Sequence, residues 1–243
     1  MIFDRYIAHR GLHNIEEGIP ENSMKAFEKA VEMGYPIELD IHLTRDGRIV
    51  VFHDDNLKRM TGVDKNINEL TYEELSELRL QGTDEGIPPL IDVLKLVRGR
   101  VGLLIELKDT APLFVMENRL CKMMLNYPGF WAIQSFNPVR VGWFATHCPS
   151  IERGQLVTDF GKKRQLAKRV ASKKVTWKTV SKPTFISVDL RSISLQYLFD
   201  AHDIGAKLIT WTATSKELLE QAVKFGRGVI FENMIPCDYD EED

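Results

Sequence analysis

Three carboxylates, two histidines and two cations stand at or near the ends of apolar runs in this chain of 243 residues, and together they could cleave a phosphate ester. Glu38 and Asp40 alternate with Leu39 and Ile41, so a strand here loads acids on one face and aliphatics on the other. Glu106 and Lys108 repeat that spacing after Val101-Gly102-Leu103-Leu104-Ile105, and His9-Arg10 closes the run Tyr6-Ile7-Ala8. His53 follows Ile49-Val50-Val51-Phe52. Charge at the tail of a buried strand is unfavourable unless it is paired or metal-bound. Three carboxylates without a cysteine make a hard, oxygen-rich set that suits the divalent metals Mg²⁺ or Ca²⁺. Arg10 and Lys108 add donors for an anionic group, of which phosphate is the common case. Histidines titrate near neutrality, so His9 and His53 can serve as acid and base. Metal, anion clamp and histidine pair describe hydrolysis of a phosphate ester.

The elements must bring these residues to one place. Asp46-Gly47 suits a two-residue hairpin turn, whose register pairs Arg45 with Arg48 and sets Asp40 opposite His53. Ligand sites in α/β sheets form at the C-terminal ends of strands, where all of the residues above are expected to meet. Asn22 or Ser23 caps a helix carrying Met24, Phe27 and Val31, with Gly34 as its stop, and Asn22 is read as a cap first. His13 reads as a loop residue, and His42, close to the turn, as exposed. Further along, Thr71-Tyr72-Glu73-Glu74 has capping-box spacing, and Leu90, Val93, Leu94 and Val97 share one helical face. From there the pattern alternates: helix 112–126, strand 131–136, helix 138–147, strand 151–157, strand 185–190, helix 195–204, strand 207–211, a helix begun by Thr214-Ser215-Lys216-Glu217, and strand 229–231.

These residues give the chain a resemblance to the glycerophosphodiester phosphodiesterase family, within the phospholipase-C-like phosphodiesterases. The matching pieces are His9-Arg10-Gly11, Pro20-Glu21-Asn22, Glu38-Leu39-Asp40, Leu43-Thr44-Arg45-Asp46-Gly47 with Val50-Val51-Phe52-His53-Asp54, Glu106-Leu107-Lys108, Ser135-Phe136 and Trp211-Thr212. They follow the family's order and span nearly the whole chain. The resemblance implies a distorted (β/α)₈ TIM barrel with a β-hairpin at strands 2–3, and metal-dependent cleavage of glycerophosphodiesters to glycerol 3-phosphate and an alcohol. It implies His9 and His53 as the acid/base pair and Glu38, Asp40 and Glu106 as metal ligands. Arg10 and Lys108 would contact phosphate, and Trp211 and Phe136 would contact substrate. Nine strand candidates fill eight barrel places because the hairpin's turn is too short for a parallel crossover. One departure is plain: the chain ends Gly228-Val229-Ile230-Phe231-Glu232-Asn233-Met234-Ile235-Pro236, with Glu232 and Asn233 where the family usually has an aspartate and one extra residue before the proline.

Length and 44% hydrophobic content fit one barrel domain over residues 1–243. A net charge of -3 gives no global attraction to nucleic acid. Cys121, Cys148 and Cys237 have no metal spacing and read as reduced thiols. The first apolar run begins almost at Met1, and no run is long enough to span a membrane, so a cytoplasmic enzyme acting on a small-molecule phosphodiester is expected. Lys162, Lys163, Arg164, Lys168, Arg169, Lys173, Lys174, Lys178 and Lys182 form a cationic stretch that reads first as a solvated face and second as a surface for phosphodiesters or an anionic membrane. Two other activities are open: a lysophospholipase D, which needs an apolar channel, and a non-catalytic headgroup binder, which needs a lost histidine or carboxylate. None is lost.

Overall fold

Alternation along β1 (Tyr6–His9) sends Ile7 and His9 to one side of the sheet and Ala8 to the other, and the same rule sorts every later strand. A computed structural model of the chain describes residues 6–158, 177–226 and 228–236. In it β1 pairs in parallel with β2 (Ile37–Leu43) and with β9 (Gly228–Phe231). Between those two run β4 (Leu103–Leu107), β5 (Trp131–Ser135), β6 (Glu152–Val157), β7 (Phe185–Asp189) and β8 (Lys207–Ala213), each parallel to its neighbours. The ring closes with eight parallel strands. The ninth, β3 (Ile49–Val51), hangs antiparallel on β2 outside it. The chain is therefore a (β/α)₈ barrel with a hairpin.

The barrel interior has an apolar floor of Ile7, Leu104, Ala132, Phe185, Ile209 and Ile230. Gly154 is required by that floor, since a Cβ there would stand 2.1 Å from the Phe185 ring. Outside the ring, Leu39, Ile41, Leu103, Ile105 and Ile133 pack against α1 (Met24–Glu32), α4 (Leu90–Val97) and α5 (Val115–Met124). Each such fully buried aliphatic or Phe contributes about 1.5–3 kcal/mol from apolar transfer. A second small core lies under the segment after the hairpin, where Leu57, Met60, Ile67, Leu70, Leu75 and Leu80 cover Val50 and Phe52.

The caps explain where helices begin. Ser23, not Asn22, accepts the Ala26 amide and starts α1, and Thr71 and Glu74 form a reciprocal box at α3 (Tyr72–Ser76). The hairpin departs from its expected register. Leu43 pairs with Ile49 and Ile41 with Val51, and the Thr44 amide donates to the Arg48 carbonyl, so the loop holds three residues, Arg45 to Gly47. Thr44 is responsible: its hydroxyl accepts the Arg48 amide and donates to Asp46, which ties Asp46 into the loop rather than leaving it in a two-residue turn. Phe52, whose amide donates to the Asp40 carbonyl, is therefore Asp40's partner, and His53 lies one residue beyond. Cys121 and Cys148 are free thiols, while Cys237 and the cationic residues 162–174 lie outside the described residues.

Candidate active site

The register of the barrel stacks the polar residues above the apolar floor. His9 lies beside Glu38, Asp40 beside Glu106, and Glu106 beside Gln134. One cavity of about 400 Å³ at this end is lined by His9, Arg10, Glu38, His53, Glu106, Lys108, Phe136 and Trp211. Asp40 sits beneath, fully buried, with its Oδ1 2.7 Å from Lys108 Nζ. The structure thus brings together all nine residues singled out in the sequence. His53 reaches the cavity from the segment after β3, not from a position opposed to Asp40.

Glu38, Asp40 and Glu106 each offer an oxygen within 4.8 Å of the other two. Burial and the neighbouring carboxylates push Glu38 well above the usual carboxylate range, and burial with the charge of Asp40 raises Glu106. Asp40 is also buried, but Lys108, His53 and Arg10 overcome that and hold it far below its ordinary value. Lys108 Nζ, 2.7 Å from Asp40 and 2.7 Å from Glu106, is raised because those two charges outweigh its own desolvation. Two cations facing three buried acids leave excess negative charge. An all-oxygen set of this kind fits a hard divalent cation, and these three residues are the ones that could hold it.

Arg10 is held in place from three sides: its amide donates to Glu38 (3.3 Å), Nη1 to Glu21 (2.8 Å), and Nε lies 3.4 Å from Asp40. Glu21 in turn binds Arg59, which also holds Asp54. Each histidine has a carboxylate on Nδ1. His9 Nδ1 is 2.5 Å from Glu232 Oε2, and His53 Nδ1 is 2.6 Å from Asp54 Oδ1. An ionised carboxylate only accepts, so Nδ1 carries the proton in both rings and the neutral imidazole is basic at Nε2. Burial lowers the His9 pKa, opposed by Glu232, while Glu232 is itself drawn well down, its burial outweighed by His13 and His9.

Several of these residues have roles that differ from the sequence reading. Asn22 donates to Asp40 at 2.9 Å, so it supports the acidic cluster and leaves the capping to Ser23. His13 is 3.7 Å from Glu232. His42 is completely buried, bonded to Thr110 Oγ1 (2.7 Å) and to the His53 carbonyl (3.3 Å), because the segments after β4 and β3 close over it. Desolvation takes its pKa down to about 4. Gln134, which donates to Glu38, went unrecognised although it is a polar residue at the tail of an apolar strand, the same signal that marked Glu106. Glu232 occupies the departing end of the last strand and contributes directly to the cavity.

Comparison with known proteins agrees with this geometry. The chain is 28% identical over 240 residues to a glycerophosphodiester phosphodiesterase of Caldanaerobacter subterraneus, covering 90% of each. Over 104 residues it is 41% identical to a lysophospholipase D of Rattus norvegicus, covering 37% of this chain and 32% of that one. Among solved structures, an Oleispira antarctica phosphodiesterase in complex with its product sn-glycerol-3-phosphate has the same fold, with a TM-score of 0.76 at 23% identity over 95% of this chain and 93% of that one. The model of the glycerophosphoryl diester phosphodiesterase family matches residues 9–234, nearly the full length, and the chain belongs to that family.

Proposed function

We propose that the chain hydrolyses glycerophosphodiesters to glycerol 3-phosphate and an alcohol by acid/base catalysis at His9 and His53. The observation that carries this is the pairing of two cavity-lining histidines, each oriented through Nδ1 by its own carboxylate, around one acidic cluster. Arg10 and Lys108 contact the phosphate and fix the phosphorus between the two rings. One histidine takes the proton of the attacking hydroxyl, which is the substrate's own glycerol 2-hydroxyl. The P–O bond to the alcohol breaks, and the other histidine supplies the proton to the leaving oxygen. A cyclic 1,2-phosphate results, and water opens it with the histidine roles exchanged. A divalent cation held by Glu38, Asp40 and Glu106 would polarise the phosphoryl oxygen and lower the pKa of the hydroxyl. Trp211, which lines the cavity, contacts the glycerol moiety.

A second reading rests on the apolar lining of the cavity, to which Phe136, Leu156, Leu190, Trp211, Leu218 and Ile230 contribute. That lining suits a glycerol moiety that carries a hydrocarbon chain, which makes lysophospholipase D activity the runner-up. Turnover of glycerophosphocholine, its 2-deoxyglycerol counterpart and lysophosphatidylcholine, compared with and without chelator, tests both. Glycerol 3-phosphate should form from the first substrate only with metal, the 2-deoxy compound should be nearly inert, and His9→Ala or His53→Ala should each lose roughly 10²–10⁴ in turnover. Full activity after chelation, or in either single variant, rules the mechanism out. Faster release of choline from the lysolipid than from glycerophosphocholine promotes the second reading.

A further inference from the structure

His53 reaches the cavity on chain that has already left the barrel sheet. The Phe52 amide still donates to the Asp40 carbonyl. The backbone bonds that follow, Leu57 amide to Lys65 carbonyl and Ile67 amide to Asp55 carbonyl, lie within the segment after β3, which packs on its own small core around Leu57 and Met60. An acid or base must stay within about 0.5 Å of its productive position relative to the groups that hold the phosphate. His42 steadies the His53 carbonyl, which leaves the ring and its placement against Arg10 to side-chain contacts. Arg59, on α2 (Lys58–Thr61), reaches the carboxylate partners of both His53 and Arg10.

The Arg59 guanidinium makes two forks. Nε and Nη2 donate to Asp54 Oδ2 (2.6 Å) and Oδ1 (3.1 Å), and Nη1 and Nη2 donate to Glu21 Oε2 (3.0 Å) and Oε1 (2.7 Å). The shared nitrogen carries the argument. Asp54 Oδ1 is the oxygen that accepts from His53 Nδ1 at 2.6 Å, and Glu21 Oε1 is the oxygen that accepts from Arg10 Nη1 at 2.8 Å. Nη2 therefore touches both of the oxygens that hold the machinery. An isolated exposed ion pair contributes little, but two forks from one planar group to two carboxylates fix distance and angle together. Burial would raise both acids, yet Arg59, with Arg10 at Glu21 and His53 at Asp54, holds both below the usual carboxylate range. Arg59, Glu21 and Asp54 do not line the cavity, so they act through the two groups that do.

We infer that Arg59 is a positioning residue, whose two-forked guanidinium sets the His53 ring against Arg10 and so registers the segment after β3 to the phosphate clamp of the barrel. This rests on the proposed reading in which His53 and Arg10 serve one reaction. Turnover of glycerophosphocholine by Arg59→Ala and Arg59→Lys, with unfolding midpoints measured alongside, tests it. Both variants should keep a midpoint close to wild type, because Leu57 and Met60 still anchor α2 in its small core. Arg59→Ala should lose roughly 10- to 100-fold in kcat and also gain in KM. Arg59→Lys should be nearly as impaired, since a point charge cannot make two forks. Asp54→Asn should act mainly on kcat through His53, and Glu21→Gln mainly on KM through Arg10, so that only loss of Arg59 moves both. Guanidinium added below denaturing concentration should return part of the Arg59→Ala turnover, and sodium chloride at the same ionic strength should not. A merely structural role would not produce that rescue. Should Arg59→Ala fail to fold, Arg59→Lys decides alone: impaired turnover at an unchanged midpoint supports the inference, and wild-type turnover overturns it. A folded Arg59→Ala protein with wild-type kinetics, or one that guanidinium and sodium chloride affect alike, also overturns it while the activity stands. A wild-type protein without turnover overturns both.

Discussion

Glu232 shows what a single carboxylate contributes here. It is ionised well below its usual range and sits 2.5 Å from His9 Nδ1, so it fixes the ring and favours the protonated imidazole. Glu232→Gln keeps the shape and removes the charge. Turnover should fall about 10- to 100-fold, and the limb of the pH–rate profile that belongs to His9 should move to lower pH. The limb that moves also identifies the role: the acid limb marks His9 as base, the alkaline limb as acid. An unshifted profile would mean that Glu232 serves packing only. His9, Arg10, Glu38, Asp40, Glu106 and Lys108 were legible in the sequence because a period of two exposes any charge on an otherwise apolar strand. The partnership of Glu232 with His9 was not, because 223 residues separate them and only barrel closure brings β9 beside β1. Asn22 was misread for a different reason: it stands beside Ser23, both types cap helices, and the choice between them depends on a bond to Asp40 that no local pattern records.

Between elements, the buried Arg140 joins α6 (Pro138–His147) to α5 and to the segment after β4, donating to Glu117 at 2.6 Å and to Asp109 at 2.9 Å. Arg140→Met leaves Glu117 buried with its main partner gone and should destabilise by about 3–5 kcal/mol in urea unfolding. Adding Glu117→Leu should restore most of that loss, since the unpaired charge goes with it. If the double variant is no more stable than the single one, the pair is not the source of the effect. The sequence showed these helices clearly: 138–147 was expected and is found, and the helix expected over 112–126 runs from Val115 to Met124. The hairpin was the element whose geometry could not be read. Asp46-Gly47 favours a two-residue turn, yet the Thr44 hydroxyl bonds to both Asp46 and Arg48 and adds a residue to the loop. One residue shifts every pairing on β3, which is why Asp40 faces Phe52, while His42 is enclosed by Thr110 and the segment carrying His53.

For the molecule as a whole, the acidic cluster couples catalysis to stability. Glu38 and Glu106 are raised by burial and by neighbouring acids, so the folded state holds their protons more tightly than the unfolded chain does. The sign follows: their contribution to stability is fully present below the unfolded carboxylate pKa and is lost as pH rises through the raised folded values. As pH rises through those raised values, the fold comes to carry two strained carboxylates that Lys108 and Arg10 only partly offset. A divalent cation bound by the native state alone removes that strain and stabilises by mass action, about 2.7 kcal/mol at a hundredfold excess over Kd. For a chain of this size that is a rise of roughly 5–10 °C in the unfolding midpoint. Mg²⁺ or Ca²⁺ should therefore raise Tm at pH 8, and the increment should shrink as pH falls and protons compete for Glu38 and Glu106. Glu106→Gln carries the decisive contrast. Removing one of the mutually repelling acids should make the metal-free protein as stable as wild type or more so at pH 8, while the increment from added metal nearly disappears. Scanning calorimetry with chelator and with each ion reads all of these without any substrate. A wild-type midpoint indifferent to both ions at pH 8, or a Glu106→Gln protein that still gains the full increment, would show that the three carboxylates do not form the metal site.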